Sequence, residues 1–215
     1  MKKNKIDWKD VLIAAELSKI SYPQHYKRGL KKLVFSRHTD TEIFHYCTNH
    51  KLYIVARGTE SDDVKDYITD FSAWHSDCQI PKTEGQVHHG FQRAALSVIA
   101  PVAEYVSKAL ATIDVPVVFC GHSLGGAISL YVSLYLAHSG TLTRYPTLYT
   151  FGQPKVFNRH FWASVRLPNY YRFKNWLDPV TWVPVFMRHS GRKIRLSGKW
   201  GHDIDNYIHN IRRKL

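Results

Sequence analysis

Gly121-His122-Ser123-Leu124-Gly125, a serine with glycine two positions away on either side, is the point in this sequence where residue types and spacing first suggest covalent chemistry. The pattern suits a strained strand-to-helix turn that exposes the hydroxyl, where only glycine leaves room for neighbouring backbone. A serine hydroxyl does not ionise near neutral pH. As a nucleophile it needs a base within hydrogen-bond reach and a third group to orient that base. Asp178, in Asn175-Trp176-Leu177-Asp178-Pro179, and His202, in Gly201-His202-Asp203, follow in the chain order nucleophile, acid, histidine. Each residue also has a plainer reading. Ser123 would serve as a helix cap, Asp178 as a turn starter before Pro179, and His202 as the neighbour of a helix cap, while His189 competes with His202 as the base.

Such residues act together only if the chain brings them together. Trp8, Val11, Leu12 and Ala15 recur at helical spacing and predict an amphipathic helix over 8–20, closed before Pro23. Residues 31–37 and 42–48 alternate in polarity as a strand pair. The apolar runs Lys-Leu-Tyr-Ile-Val-Ala-Arg-Gly up to Gly58 and Val-Pro-Val-Val-Phe-Cys-Gly-His-Ser up to Ser123, and more loosely Thr-Leu-Tyr-Thr-Phe-Gly before Gln153 and Tyr-Tyr-Arg-Phe-Lys-Asn up to Asn175, suit parallel strands buried on both faces. Helices are expected over 62–73, 92–110, 124–138 and from about His202 onward. The fold class this predicts is α/β, a mostly parallel central sheet with helices on both faces, as a single domain over 1–215. In such sheets functional groups gather at the carboxyl ends of strands, where Gly58-Thr59, Ser123, Gly152-Gln153 and Asn175 to Asp178 all fall.

Taken together these segments resemble the class 3 lipases, an α/β-hydrolase family typified by fungal triacylglycerol lipases. The resemblance spans about Leu12 to Tyr207. It rests on Val-Ala-Arg-Gly-Thr-Glu-Ser at 55–61, Val-His-His-Gly-Phe-Gln-Arg at 87–93, Phe-Cys-Gly-His-Ser-Leu-Gly-Gly-Ala at 119–127, Tyr-Thr-Phe-Gly-Gln-Pro-Lys-Val at 149–156, Asn-Trp-Leu-Asp-Pro-Val-Thr-Trp-Val-Pro at 175–184 and His-Asp-Ile-Asp-Asn-Tyr-Ile at 202–208. It implies an acylglycerol lipase with Ser123, Asp178 and His202 as catalytic triad and Thr59 and Leu124 as oxyanion hole. It also places a lid over roughly 60–71, in which Val64, Tyr67, Ile68 and Phe71 share one helical face that either covers a pocket or packs on the sheet. Asp70 is expected to hold Thr59 from behind.

Lys and Arg number 30 against 17 Asp and Glu, for a formal charge of +13. An anionic partner is therefore expected, and peripheral contact with an anionic lipid surface makes phospholipase A or lysophospholipase activity the alternative substrate reading. A binding module for nucleic acid or another anionic polymer would explain the charge without the triad, but no helix-turn-helix, zinc-finger or RNA-recognition pattern is present and no nucleic acid is expected. No cofactor is implied. None of the 13 histidines sits at a metal-ligand spacing, so no metal is expected. Cys47, Cys78 and Cys120 are too scattered for a disulfide framework, and Cys120 reads as a small buried apolar residue. The start of the sequence lacks a cleavage-like ending after its short apolar run, and no segment approaches the length of a membrane span. A cytoplasmic location is the default, with export by another route as the variant.

Overall fold

The computed structural model describes residues 6–26, 29–58 and 74–215. The expectations for Thr59, for the helix over 62–73, for the lid and for Asp70 lie outside the described residues. Strands β1 (Lys31–Ser36), β2 (Thr41–Cys47), β3 (Leu52–Ala56), β6 (Val117–His122), β7 (Thr147–Phe151), β8 (Tyr170–Asn175) and β9 (Arg192–Leu196) form a seven-stranded sheet in the order β1-β2-β3-β6-β7-β8-β9. The first three run antiparallel, and from β3 to β9 every pairing is parallel. A small ribbon of β4 (His75–Asp77) and β5 (Gln86–His88) stands apart.

The central parallel strands β3, β6 and β7 are buried on both faces because their apolar runs are nearly unbroken. Along β3, Leu52, Ile54 and Ala56 enter one core, while Tyr53 and Val55 enter the other. In β6, Val117 and Phe119 face the first core, and Val118 and Cys120 the second. Helices α2 (His89–Thr112) and α3 (Leu124–His138) cover the first face, and α1 (Trp8–Ile20) and α5 (Ile204–Arg212) the second; a short helix, α4 (Arg159–Ser164), follows β7. The α/β class, the mostly parallel sheet and the helices on both faces therefore agree with the expectation from sequence.

Three details depart from it. Strand β9 went unpredicted, since Arg192, Lys193 and Arg195 leave only Ile194 and Leu196 as inward-facing apolar residues. Helix α5 begins at Ile204, with Asp203 as its cap accepting from the Asp205 N–H at 2.7 Å, so His202 lies in the loop just before it. Helix α2 does reach the length and apolar content of a membrane span, with a mean hydropathy of 1.3, contrary to the expectation that no segment would. Its row of Phe91, Ala94, Ala95, Val98, Val102 and Val106 packs into the core against α3 and the first two strands.

Helix α1 is fixed beneath the sheet by a buried carboxylate. Asp10 accepts from the hydroxyls of Tyr53 and Tyr149, the latter at 2.9 Å, and pairs with Lys51 at 2.7 Å. This anchorage sets the position of Tyr22, just past the helix end. Truncating one partner of a buried charged cluster strands the others without an acceptor, so Asp10→Ala is expected to cost about 3 kcal/mol of stability. Urea unfolding followed by fluorescence checks this, and a loss within experimental error of zero would mean that Asp10 does not anchor α1.

Candidate active site

Ser123 lies between β6 and α3 at φ 55° and ψ −127°, a region that side-chain-bearing residues rarely adopt. The two glycines make that turn sterically feasible. A Cβ on Gly121 would run into the backbone of Gly125, and one on Gly125 into the carbonyl of Ala56 in β3. The turn is tied to the next strand by the Ser123 N–H, which donates to the Phe151 carbonyl at 2.9 Å, and to α3 by the Gly126 N–H, which donates to the Ser123 carbonyl at 3.0 Å. Leu124 is the first residue of α3, where the N–H has no carbonyl to bond within its own helix.

Asp178 and His202 meet at the carboxyl ends of β7 and β8. His202 Nδ1 lies 3.0 Å from both carboxylate oxygens of Asp178, which is fully buried. Gly152, at φ 62°, lets the end of β7 pass directly beside this pair: a Cβ there would stand 2.8 Å from Asp178 Oδ2 and 2.9 Å from His202 Cε1. Because a carboxylate only accepts, Nδ1 carries the proton and Nε2 of the neutral ring is the acceptor. That Nε2 is buried and has no hydrogen-bond partner among the described residues. Ser123 and His202 are therefore neighbours across Phe151 and Gly152, with no hydrogen bond closed between them, a looseness common before substrate binds.

Further groups hold Asp178. Tyr207 donates its hydroxyl to Oδ2 at 2.5 Å, and the Val180 N–H donates to Oδ1 at 3.0 Å. The Asn175 N–H in turn donates to the Tyr207 oxygen at 3.1 Å, and Asn210 donates to Asn175 Oδ1 at 2.9 Å. Burial alone would push the Asp178 carboxyl up, but the hydrogen bonds and charge of His202, with the Tyr207 hydroxyl, outweigh it and hold the group below the usual carboxylate range. Burial, followed by the Asp178 charge, pushes the Tyr207 phenol well above its ordinary value, so it stays protonated as a donor.

His122 holds the histidine loop from the serine side. Its Nε2–H donates to the His202 carbonyl at 2.6 Å, which leaves Nδ1 to accept from the Tyr22 hydroxyl at 2.8 Å. The His122 and His202 rings lie 4.5 Å apart between centroids. Burial, and then the proximity of His202, lower the His122 pKa to about 3, so it stays neutral at physiological pH. The rival base, His189, is bound to the Thr181 carbonyl through Nε2 at 2.8 Å, and burial with the nearby Arg172 charge lowers it to about 3 as well. His189 thus has a structural attachment of its own.

Sequence reasoning singled out Ser123, Asp178, His202 and Leu124, all of which come to this one region. It missed the supporting Tyr22, His122, Asn175, Tyr207 and Asn210. Only the position of His122 inside the serine motif and the Asn-Tyr pair after His202 gave a signal. Among the described residues no three metal-ligating side chains come together.

A family model described as lipase (class 3) matches residues 53–187, a span that includes Ser123 and Asp178 and stops short of His202. A Fusarium solani protein described as secreted mono- and diacylglycerol lipase 1 is 32% identical over 157 residues, covering 70% of this chain and 46% of its own length. The chain thus spans about half the length of that curated relative. A lipase from Rhizopus microsporus var. chinensis superposes with a TM-score of 0.75 at 26% identity, covering 87% of this chain and 74% of that one. A deletion mutant of the Rhizomucor miehei lipase in its propeptide complex superposes with a TM-score of 0.77 at 24% identity, covering 89% of this chain and 67% of that one, and shares the fold.

The neutral His122 sets a stability window. Its folded pKa is depressed, so the unfolded chain binds a proton that the fold refuses. Stability from this group is complete above the ordinary histidine value and is lost as pH falls from there toward about 3. On moving from about pH 7.5 to about pH 5, His122 accounts for about 2 kcal/mol of lost stability. In His122→Gln, urea unfolding at the two pH values should show a gap smaller by that amount, and an unchanged gap would show that His122 takes up its proton in the fold.

Proposed function

Because the chain belongs to the class 3 lipase family, we propose that it is a serine carboxylic-ester hydrolase acting on acylglycerol lipid esters, with Ser123 as nucleophile, His202 as general base and acid, and Asp178 as the group that orients His202. The observation that carries this reading is the His202 ring itself. Its Nδ1 is bound to a buried carboxylate, while its buried Nε2 has no partner among the described residues and the ring packs against His122, the residue before Ser123, with 4.5 Å between ring centroids.

In this mechanism Nε2 takes the Ser123 proton as Oγ bonds to the ester carbonyl carbon and the carbonyl π pair moves onto oxygen. Asp178 fixes the tautomer and balances the imidazolium without accepting its proton. The Leu124 N–H at the start of α3 donates to the oxyanion, and by family resemblance Thr59 supplies the second donor. Each such donor is worth about 2.7 to 4 kcal/mol of barrier. Collapse of the tetrahedral intermediate expels the alcohol, which His202 protonates. Water then attacks the acyl-enzyme with His202 again as base, releasing the fatty acid and restoring the serine proton.

The Fusarium relative is described as acting on mono- and diacylglycerols, which supports acylglycerols as the substrate class here. It is also described as secreted, which favours export of this chain over the cytoplasmic default. Nothing in the described site selects a phosphorylated headgroup over a neutral ester.

Fatty-acid release from mono-, di- and triacylglycerol emulsions, read by mass spectrometry, tests the reading. Ser123→Ala should abolish release, and Asp178→Asn should lower kcat by about 10⁴-fold, the loss typical of a triad whose histidine is held in the wrong tautomer. Release that persists in Ser123→Ala would remove the nucleophile assignment.

A further inference from the structure

The loops that carry Asp178 and His202 present an unusual amount of aromatic surface to solvent. Trp176, Leu177, Trp182, Val185, Phe186 and Trp200 are each between 58% and 66% exposed, although large apolar side chains in this chain are mostly buried. Trp176 and Leu177 directly precede Asp178, and Trp200 lies two residues before His202. The two loops are joined where the Gly201 N–H donates to the Trp176 carbonyl at 3.0 Å. Leu177 adopts φ 54°, a left-handed conformation that is costly for a leucine, while its side chain stands in solvent. A strained backbone that exposes an apolar side chain beside a reactive centre contributes nothing to the core.

A basic edge adjoins this surface. Strand pairing sets Lys174 beside Arg195, with Lys193 two residues earlier on the same strand, and the Lys174 ammonium lies 4.7 Å from the centre of the Trp182 ring. Lys174, Arg188, Lys193 and Arg195 form no ion pair with a described carboxylate, and the Arg188 guanidinium donates to the carbonyls of Val185 and Met187. The acidic groups in the same two loops are already engaged. Asp178 is buried on His202, and Asp203 caps α5. Exposed tryptophans beside uncompensated lysine and arginine match the chemistry of a bilayer interface, where indole rings sit at headgroup depth and cations meet anionic lipid. Aliphatic Leu177 and Val185 gain nothing from a phosphate backbone alone, which sets this surface apart from a nucleic-acid groove.

We propose that the aromatic rim of Trp176, Leu177, Trp182, Phe186 and Trp200, with the basic edge of β8 and β9, docks the protein on an anionic lipid bilayer. This places Asp178 and His202 at the lipid surface. The purpose of the docking rests on the hydrolase reading above; the surface itself does not.

The test is vesicle co-sedimentation of the full chain carrying Ser123→Ala, which removes turnover from the readout. Vesicles of phosphatidylcholine alone are compared with phosphatidylcholine mixed with phosphatidylglycerol. Binding should be at least roughly ten-fold tighter to the anionic vesicles and should weaken with added salt. Trp182→Ala with Phe186→Ala, and separately Lys193→Glu with Arg195→Glu, should each weaken it roughly ten-fold. A thermal melt confirms that each variant folds, and the strand-edge pair keeps the test valid if the aromatic pair does not fold. Equal binding to both vesicles, parental binding by the variants, or tighter binding to a single-stranded oligonucleotide than to anionic vesicles would overturn the proposal. So would a dimer in ultracentrifugation that the aromatic substitutions dissolve. Vesicle binding without ester turnover in the parent refutes the hydrolase reading alone, and turnover without vesicle binding refutes the docking alone.

Discussion

A fully buried carboxylate must be surrounded by donors or give up its charge, and Asp178 is where this fold meets that demand. Taking a carboxylate out of water costs several kcal/mol even after relaxation. Here His202, Tyr207 and the Val180 N–H answer that cost from two parts of the chain. Tyr207 belongs to α5, so docking of that helix under the sheet, through Tyr207, Ile208 and Ile211, also delivers the phenol that the acid requires. Packing and charge solvation are thus the same event. Asn175 and Asn210 extend the arrangement by holding Tyr207 and the loop before His202 in register.

The serine side is built on the opposite principle, close approach of backbone rather than solvation of charge. Parallel β3, β6 and β7 end together, and only glycine at 121 and 125 lets the turn and α3 fold down against them. His122 joins the two halves. From inside the serine motif it holds the carbonyl of His202, and Tyr22 braces it from the end of α1. The strained turn and the solvated acid are therefore linked through one neutral imidazole, whose burial keeps it uncharged beside a residue expected to gain charge in catalysis.

Most of the sheet could be read in advance because β3, β6 and β7 are short and apolar, which is the signature of strands covered on both sides, and β8 follows the same arrangement more loosely. The helix over 8–20 and that over 124–138 were legible to the residue. Strand β9 was not, because an edge strand needs only Ile194 and Leu196 to face inward and hides them among Arg and Lys. The ribbon of β4 and β5 is too short and polar to leave any periodic trace. At the site, the reactive residues were legible because chemistry restricts their types and order. Their supports were not, since a tyrosine that binds His122 from 100 positions away, or one that binds Asp178 from a helix, looks in sequence like any core aromatic.

The central claim is that Ser123 is activated by His202. Labelling with a fluorophosphonate, followed by peptide mass spectrometry, tests it without requiring knowledge of the natural ester. The account predicts a single adduct on Ser123 that forms rapidly in the parent and is lost in His202→Ala. An adduct on another residue, or labelling of Ser123 at an unchanged rate in His202→Ala, would contradict it.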